Sequence, residues 1–245
     1  MQYFKNYIFY FFLLISCFSF SQKVKTIKPV IGSKNEYSLE KSQVWDDIMV
    51  KYDKINSGEM SYDSLTKEDL ALVDSLEMGS GPISNGVGCS WYCGGEMTKV
   101  VSKSFLKTTL HHNYKPENIH DFNLLTAWVV DGKTKVIGTK IDFHFKPLSP
   151  RVNELIIYNG YLKNINLWKE NARVKKFKLY INSKLYTVLD LEDTTASQSF
   201  EIEPVRSNTK DKDLILTLEI VEIYEGTKYK DVAVTEINFN GLDVH

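Results

Sequence analysis

The chain has 245 residues, 43% of them hydrophobic and 13% aromatic, with 30 Lys and Arg against 31 Asp and Glu for a net charge of −1. That is length enough for a domain with a real core. The near-neutral balance excludes the basic excess that electrostatic nucleic-acid binding requires.

The chain opens with Lys5, an apolar run from Tyr7 to Ile15, and Ser19-Phe20-Ser21 before Gln22. A positive start, a short apolar stretch and small residues at the cleavage positions describe a secretory signal peptide over residues 1–21. The run is too short to span a bilayer, which takes about 20 residues. The expected location is therefore secreted, periplasmic or cell envelope. Leu14-Ile15-Ser16-Cys17 also resembles a bacterial lipobox, which would make Cys17 a lipidated N-terminus. Phe18 and Phe20 continue the apolar run past it, and this favours the conventional leader. Loss of the leader takes the net charge to −2 and leaves two of the three cysteines.

Residues 22–38 are polar and without periodicity, and read as a flexible lead-in. Trp45, Ile48, Met49, Tyr52 and Ile55 then recur at steps of three and four, which predicts a helix ended by Ser57-Gly58. Thr66 predicts a second helix start: it is an N-cap with Asp69 at the reciprocal position, and Leu65 and Leu70 staple the turn. Gly79-Ser80-Gly81-Pro82 ends that helix. Two helices of this size need the larger domain or a protein partner to cover their apolar faces. Asp53-Lys-Ile-Asn-Ser-Gly58 is not a calcium-binding EF-hand loop, because Ile55 occupies the third position, which needs an oxygen ligand, and Ser64 the twelfth, which needs a bidentate Glu.

Cys89 and Cys93 lie in Gly88-Cys-Ser-Trp-Tyr-Cys-Gly-Gly95. An even pair in an exported protein favours a disulfide, with two reduced thiols as the alternative. Nearby residues supply no further Cys or His to complete a zinc site.

From about residue 97 the period becomes two. Ile141, Phe143 and Phe145 alternate with polar residues, as do Phe177, Leu179 and Ile181, then Leu214, Leu216, Leu218 and Ile220, then Ile237 and Phe239. Short strands at this density with no long helix between them predict a β-sandwich. The segments joining them are rich in amides, aromatic rings and cations: 159–164, 170–176 and 225–231. No nucleophile–base motif, metalloprotease helix, P-loop or dinucleotide fingerprint is present. Adjacent His111 and His112 would face opposite sides of a strand and cannot share a metal. Asp121, Asn123 and Thr126 place three oxygen side chains within six residues, as a calcium loop requires, or as a metal-free Asx turn does equally.

The order Asn118-x-x-Asp121-x-Asn123-x-x-Thr126-Ala-Trp128 resembles the calcium-loop stretch of discoidin-like, or coagulation-factor type C, domains. Cys89-Ser-Trp-Tyr-Cys93-Gly-Gly, Tyr158-Asn-Gly-Tyr161, Asn171-Ala-Arg-Val-Lys-Lys176, Gly226-Thr-Lys-Tyr-Lys-Asp231 and Thr235-Glu-Ile extend the likeness. Together they are similar to one bacterial branch, the NAD glycohydrolase translocation discoidin-like domain family, over about residues 88–241. The resemblance implies a galactose-binding-like jelly-roll sandwich, preceded here by the short two-helix segment in 22–80. It implies a non-catalytic carbohydrate-recognition module; the NAD-cleaving activity in the family's name belongs to a separate toxin domain with no counterpart here. It also implies one structural calcium ion held by Asp121, Asn123, Thr126 and Glu236. Phe122 stands where the family has Gly, and Asn123 where Asp is more common, which removes a charge from the site.

On that scaffold Tyr161, Trp168 and Tyr229 are candidate platforms for a sugar ring, and Asn159, Asn171, Arg173 and Lys230 candidate hydrogen-bonding partners. Arg173 could instead close an ion pair with Asp231 or Glu170. The expected partner is a glycan or cell-surface polysaccharide. A cell-envelope protein–protein role, with the helices as part of the interface, is the alternative.

Overall fold

The computed structural model describes residues 24–34, 39–71, 91–109 and 112–243. The leader, Cys17 and Cys89 lie outside these. Strands dominate: β1 (Thr26–Ile27), β2 (Val30–Lys34), β3 (Met97–Val101), β4 (Trp128–Val130), β5 (Lys140–Phe145), β6 (Arg151–Asn159), β7 (Ala172–Ile181), β8 (Lys184–Asp190), β9 (Ala196–Val205), β10 (Leu214–Tyr224) and β11 (Val232–Leu242). Helices are α1 (Leu39–Asn56) and α2 (Ile165–Glu170), with a helical turn at 67–71.

The pairing runs β2-β9-β6-β11-β7-β10-β5-β3, with β1 on β8, β8 on β7, and β4 on β11. It is almost wholly antiparallel. The β11–β7 link is parallel and short, Val232↔Ala172 and Ala233↔Arg173. The ribbon folds there into the two layers of a jelly-roll sandwich. Phe143 and Phe145 of β5 meet Phe239 of β11 edge-on, with ring centroids 5.1 and 4.9 Å apart, although the two strands are not neighbours in the pairing order. Ile141, Phe177, Leu179, Leu216, Leu218 and Ile237 complete that interior, as a period of two demands. β11 departs from the alternation. Every residue from Val232 to Phe239 is buried, because β4 and β6 flank the strand and loops cover its outer face.

The lead-in expectation is corrected in part. Thr26 and Ile27 pair parallel with Val188 and Leu189, and Val30 and Ile31 pair antiparallel with Ser199 and Gln198. Eleven described residues therefore tie the outer strand of one layer to the outer strand of the other. β8 and β9 would otherwise present unpaired N–H and C=O groups, and that is the force that orders this polar stretch.

The helical segment follows local chemistry. Thr66 Oγ1 accepts from Asp69 N–H at 3.1 Å, and Asp69 Oδ2 accepts from Thr66 N–H at 3.0 Å, a complete capping box. Ile48 and Leu65 are buried in a small cluster with Tyr52, Ile55, Met60 and Leu70. Lys51 joins α1 to Asp69 at 2.7 Å.

Candidate functional site

The loop after β6 turns on Gly160, whose φ of +85° suits glycine; a Cβ there would stand 2.5 Å from Trp168 Cδ1. Thr235 Oγ1 holds this turn from β11, donating to Gly160 O at 2.7 Å and accepting from Leu162 N–H at 2.9 Å. Asn164 then caps α2, its Oδ1 accepting from Leu167 N–H at 2.9 Å.

Four of the candidate ligand residues belong to a knot behind this turn. Asn159 is buried and imitates a strand neighbour: its Nδ2 donates to Val174 O at 2.7 Å and its Oδ1 accepts from Val174 N–H at 3.2 Å. Asn171 donates to Leu167 O at 2.9 Å and closes the end of α2. Arg173 is buried and makes four side-chain hydrogen bonds. Its Nε and Nη2 fork onto Asp193 at 2.7 and 3.1 Å, while Nη1 donates to Trp168 O and Asn171 O at 2.9 Å each. Its guanidinium also lies 4.3 Å from the Trp168 ring centroid, and Trp168 Nε1 donates to Asn159 O at 3.0 Å. The polar groups of Asn159, Trp168, Asn171 and Arg173, expected at a ligand, are engaged with the scaffold. The partner of Arg173 is Asp193, not Asp231 or Glu170.

The 225–231 loop latches onto the same helix. Thr227 N–H donates to Lys169 O at 3.0 Å, and Lys228 and Tyr229 N–H donate to Glu170 O at 3.1 and 2.8 Å. These bonds satisfy carbonyls that a helix C-terminus leaves open. Asp231 Oδ1 accepts from Gly132 N–H at 2.7 Å, and Gly132 allows the approach because a Cβ there would meet Lys230 C at 2.3 Å.

The latch brings the other candidates to one face. Tyr114 and Tyr161 both lean on a floor of small buried residues, Ala127, Val129 and Ala233, on the outer side of β4 and β11. Burial, then the charges of Asp231 and Tyr229, raise the Tyr114 phenol. Burial, then Tyr114, push Tyr161 up to about 12. Tyr114 therefore feels Asp231 and Tyr229, and Tyr161 in turn feels Tyr114. Tyr229 and Lys230 are exposed, and Lys228 lies 4.8 Å over the Tyr229 ring. His112 stacks at a tilt on Tyr114 at 6.1 Å. Tyr114 and Tyr161 thus share one buried floor, and the exposed Tyr229 carries Lys228 over its ring. Tyr114 is a member that sequence reasoning missed. It sits just before Asn118 in the quoted motif, and its aromatic character was the available signal.

The acidic cluster lies elsewhere, on the loop 120–126 and β11. Asp121 Oδ1 accepts from Asn123 N–H at 3.0 Å and Oδ2 from Thr126 Oγ1 at 2.7 Å; Asn123 Oδ1 accepts from Leu125 N–H at 2.9 Å. Phe122 takes the left-handed backbone, φ +59°, which glycine adopts more readily. Its ring packs against Tyr92 and His120, at 5.1 and 4.8 Å between centroids, and offsets about 1 kcal/mol of backbone strain.

Glu236 is wholly buried beneath this loop, and neither carboxyl oxygen makes a hydrogen bond of proper geometry. Burial and the neighbouring Asp121 charge push it up to about 9, against the pull of the Phe122 and Asp121 N–H groups. His120 Nδ1 stands 3.7 Å from Glu236 but donates to Ile237 O at 2.8 Å. Burial lowers His120 to about 4, so it gives Glu236 no cationic partner at neutral pH. A neutral buried acid facing Asp121 would ionise on meeting a hard cation, with Thr126 and Asn123 oxygens alongside. Among the described residues no cluster of three or more His, Cys, Asp or Glu side chains forms a metal set. Cys93 is exposed with a free thiol, and its expected partner Cys89 is outside the described residues.

The model of the NAD glycohydrolase translocation F5/8 type C domain family matches residues 91–240. No curated protein matches the sequence. Among solved structures, the chain is similar to an arabinofuranosyltransferase from mycobacteria, with TM-score 0.43, 14% identity, and coverage of 60% of this chain and 11% of that one. It is similar to a Clostridium perfringens module solved with GalNAc-β-1,3-galactose, with TM-score 0.43, 12% identity, and coverage of 58% and 94%. It is also similar to the family 32 carbohydrate-binding module of Streptococcus pneumoniae EndoD, with TM-score 0.40, 15% identity, and coverage of 61% and 97%.

Proposed function

Because the chain belongs to the NAD glycohydrolase translocation F5/8 type C domain family, we propose that it is an exported, non-catalytic binding module that recognises carbohydrate. The supporting observation is the pair Tyr114 and Tyr161 packed on the Ala127 and Ala233 floor, with the exposed Tyr229 held by the α2 latch and influencing Tyr114. Phenol rings stack on the apolar side of a sugar, and their hydroxyls with a lysine bond its hydroxyl groups. The solved modules with similar folds include one bound to a disaccharide.

In this reading a calcium ion held by Glu236 and Asp121, with Thr126 and Asn123 alongside, is structural. It would neutralise the two carboxyl groups and pin the 120–126 loop against β11. A second reading is a protein-binding role for the helical segment, favoured by the exposed Val50 of α1 and the exposed Tyr62 beyond it.

A glycan array with the mature chain in calcium tests the first reading. Binding to a defined glycan class, lost in a Tyr161→Ala/Tyr229→Ala variant, is the expected result. Silence across all classes overturns it.

A further inference from the structure

A second concavity lies where the chain leaves β3. One lobe, of about 460 Å³, is bounded by Lys103, Lys135, Ile137 and Lys140. A second, of about 370 Å³, shares Val101 and Ser102 with the first and extends to Phe105 and Lys115. The walls are fixed before any ligand arrives. Ser102 Oγ donates to Lys140 O at 2.8 Å, Trp128 Nε1 donates to Ser104 O at 3.0 Å, and Leu106 N–H donates to Val129 O at 2.7 Å. The opposite wall is tied by Gly138 N–H to Ile220 O at 2.7 Å and Ile220 N–H to Thr139 O at 2.9 Å.

The charge of this groove is unbalanced. Lys140 pairs with Glu219 at 3.3 Å, but Lys103, Lys115 and Lys135 have no carboxylate within ion-pair distance among the described residues. Asp142 at the floor is engaged by Thr217 Oγ1 at 2.6 Å; Glu117 at the rim of the second lobe is the remaining acid. Apolar surface sits beside the cations: Ile137 is 42% exposed and Phe105 39%. The complement is an anion carried on a body with apolar faces. The terminal strand β3 lends Val101 to both lobes, while Ser104 O and Ser104 N–H are already bonded, to Trp128 and to Ser102 Oγ; an acidic peptide is therefore the rival occupant, which titration with tetraglutamate separates.

We propose that this groove is a second carbohydrate site, selective for acidic saccharides, in which ring carboxylates meet Lys103 and Lys135 while ring faces rest on Ile137 and Phe105. The choice of a saccharide rests on the glycan reading of the fold; the groove and its charge do not. Lys115 of the second lobe adjoins Tyr114, but Lys103 and Lys135 belong to the groove alone, so the two sites are separable by mutation at those lysines.

The test is calorimetric titration of the mature chain with tetragalacturonate, with neutral galactotetraose and with tetraglutamate. Tetragalacturonate is expected to bind, weakening as salt rises. A Lys103→Ala/Lys135→Ala variant is expected to lose about tenfold in affinity, the scale of two exposed charge contacts. Absence of binding, an unchanged affinity in the double-lysine variant, or equal affinity for galactotetraose or tetraglutamate would each overturn the proposal. Failure of the tyrosine face is read separately, from array binding of neutral glycans by Tyr229→Ala.

Discussion

Glu236→Gln separates the cation account from a purely structural one. In the cation-free protein Glu236 has a folded pKa pushed up to about 9 from an ordinary 4.5. A raised pKa contributes stability that is complete below pH 4.5 and is lost as pH climbs towards 9, because the unfolded chain releases its proton first. Each unit is worth about 1.4 kcal/mol, so the chelated wild type should lose several kcal/mol between pH 5 and 9. Glutamine mimics the neutral acid and does not titrate. Its amide adds buried donors that cost about 1–3 kcal/mol at every pH, so the informative quantity is the slope and not the absolute stability. In chelator the variant should gain on the wild type by up to about 1.4 kcal/mol per pH unit across that window. With calcium the order reverses. A cation that ionises Glu236 stabilises the wild type by about 2.7 kcal/mol at a hundredfold excess over Kd, or roughly 5–11 °C in Tm, and the variant gains little. Thermal unfolding at pH 5, 7 and 8.5, with calcium or chelator, measures all of this. A flat chelated wild-type profile, or an equal calcium response in Glu236→Gln, would refute the reasoning.

Arg173→Lys should cost about 2–4 kcal/mol in urea unfolding, since lysine cannot fork onto Asp193 while also serving the Trp168 and Asn171 carbonyls; glycan affinity of the folded variant should be unchanged, because the residue is scaffold. A chain beginning at residue 88 contains the whole family match but lacks β1 and β2. It should melt lower than the mature chain and self-associate, as β8 and β9 are left as open edges, a result read by calorimetry and gel filtration.

Much of the sandwich is written in local pattern. Alternation at 141–145 and 214–220 needs no knowledge of neighbours, and the Thr66–Asp69 box lies within four residues. Tertiary partners are different. Asn171-Ala-Arg-Val looks like a ligand loop until Asp193, twenty residues away, is seen to take both guanidinium edges. β1 and β2 carry no strand pattern of their own, and only the edges of β8 and β9 order them. Glu236 stands among the apolar residues of a central strand, and its isolation follows from the 120–126 loop closing over β11. The tyrosine face was half legible: Tyr161 and Tyr229 come from two of the polar loops, while Tyr114 joins them through a floor of two alanines and a valine on other strands.

Amide chemical-shift mapping of the mature chain, titrated with the glycan class that the array selects, tests the central claim most directly. The account predicts shifts concentrated at 112–115, 160–162 and 226–231, absent in Tyr161→Ala/Tyr229→Ala. Shifts confined to α1, or spread over the outer sheet without touching those three loops, would contradict it.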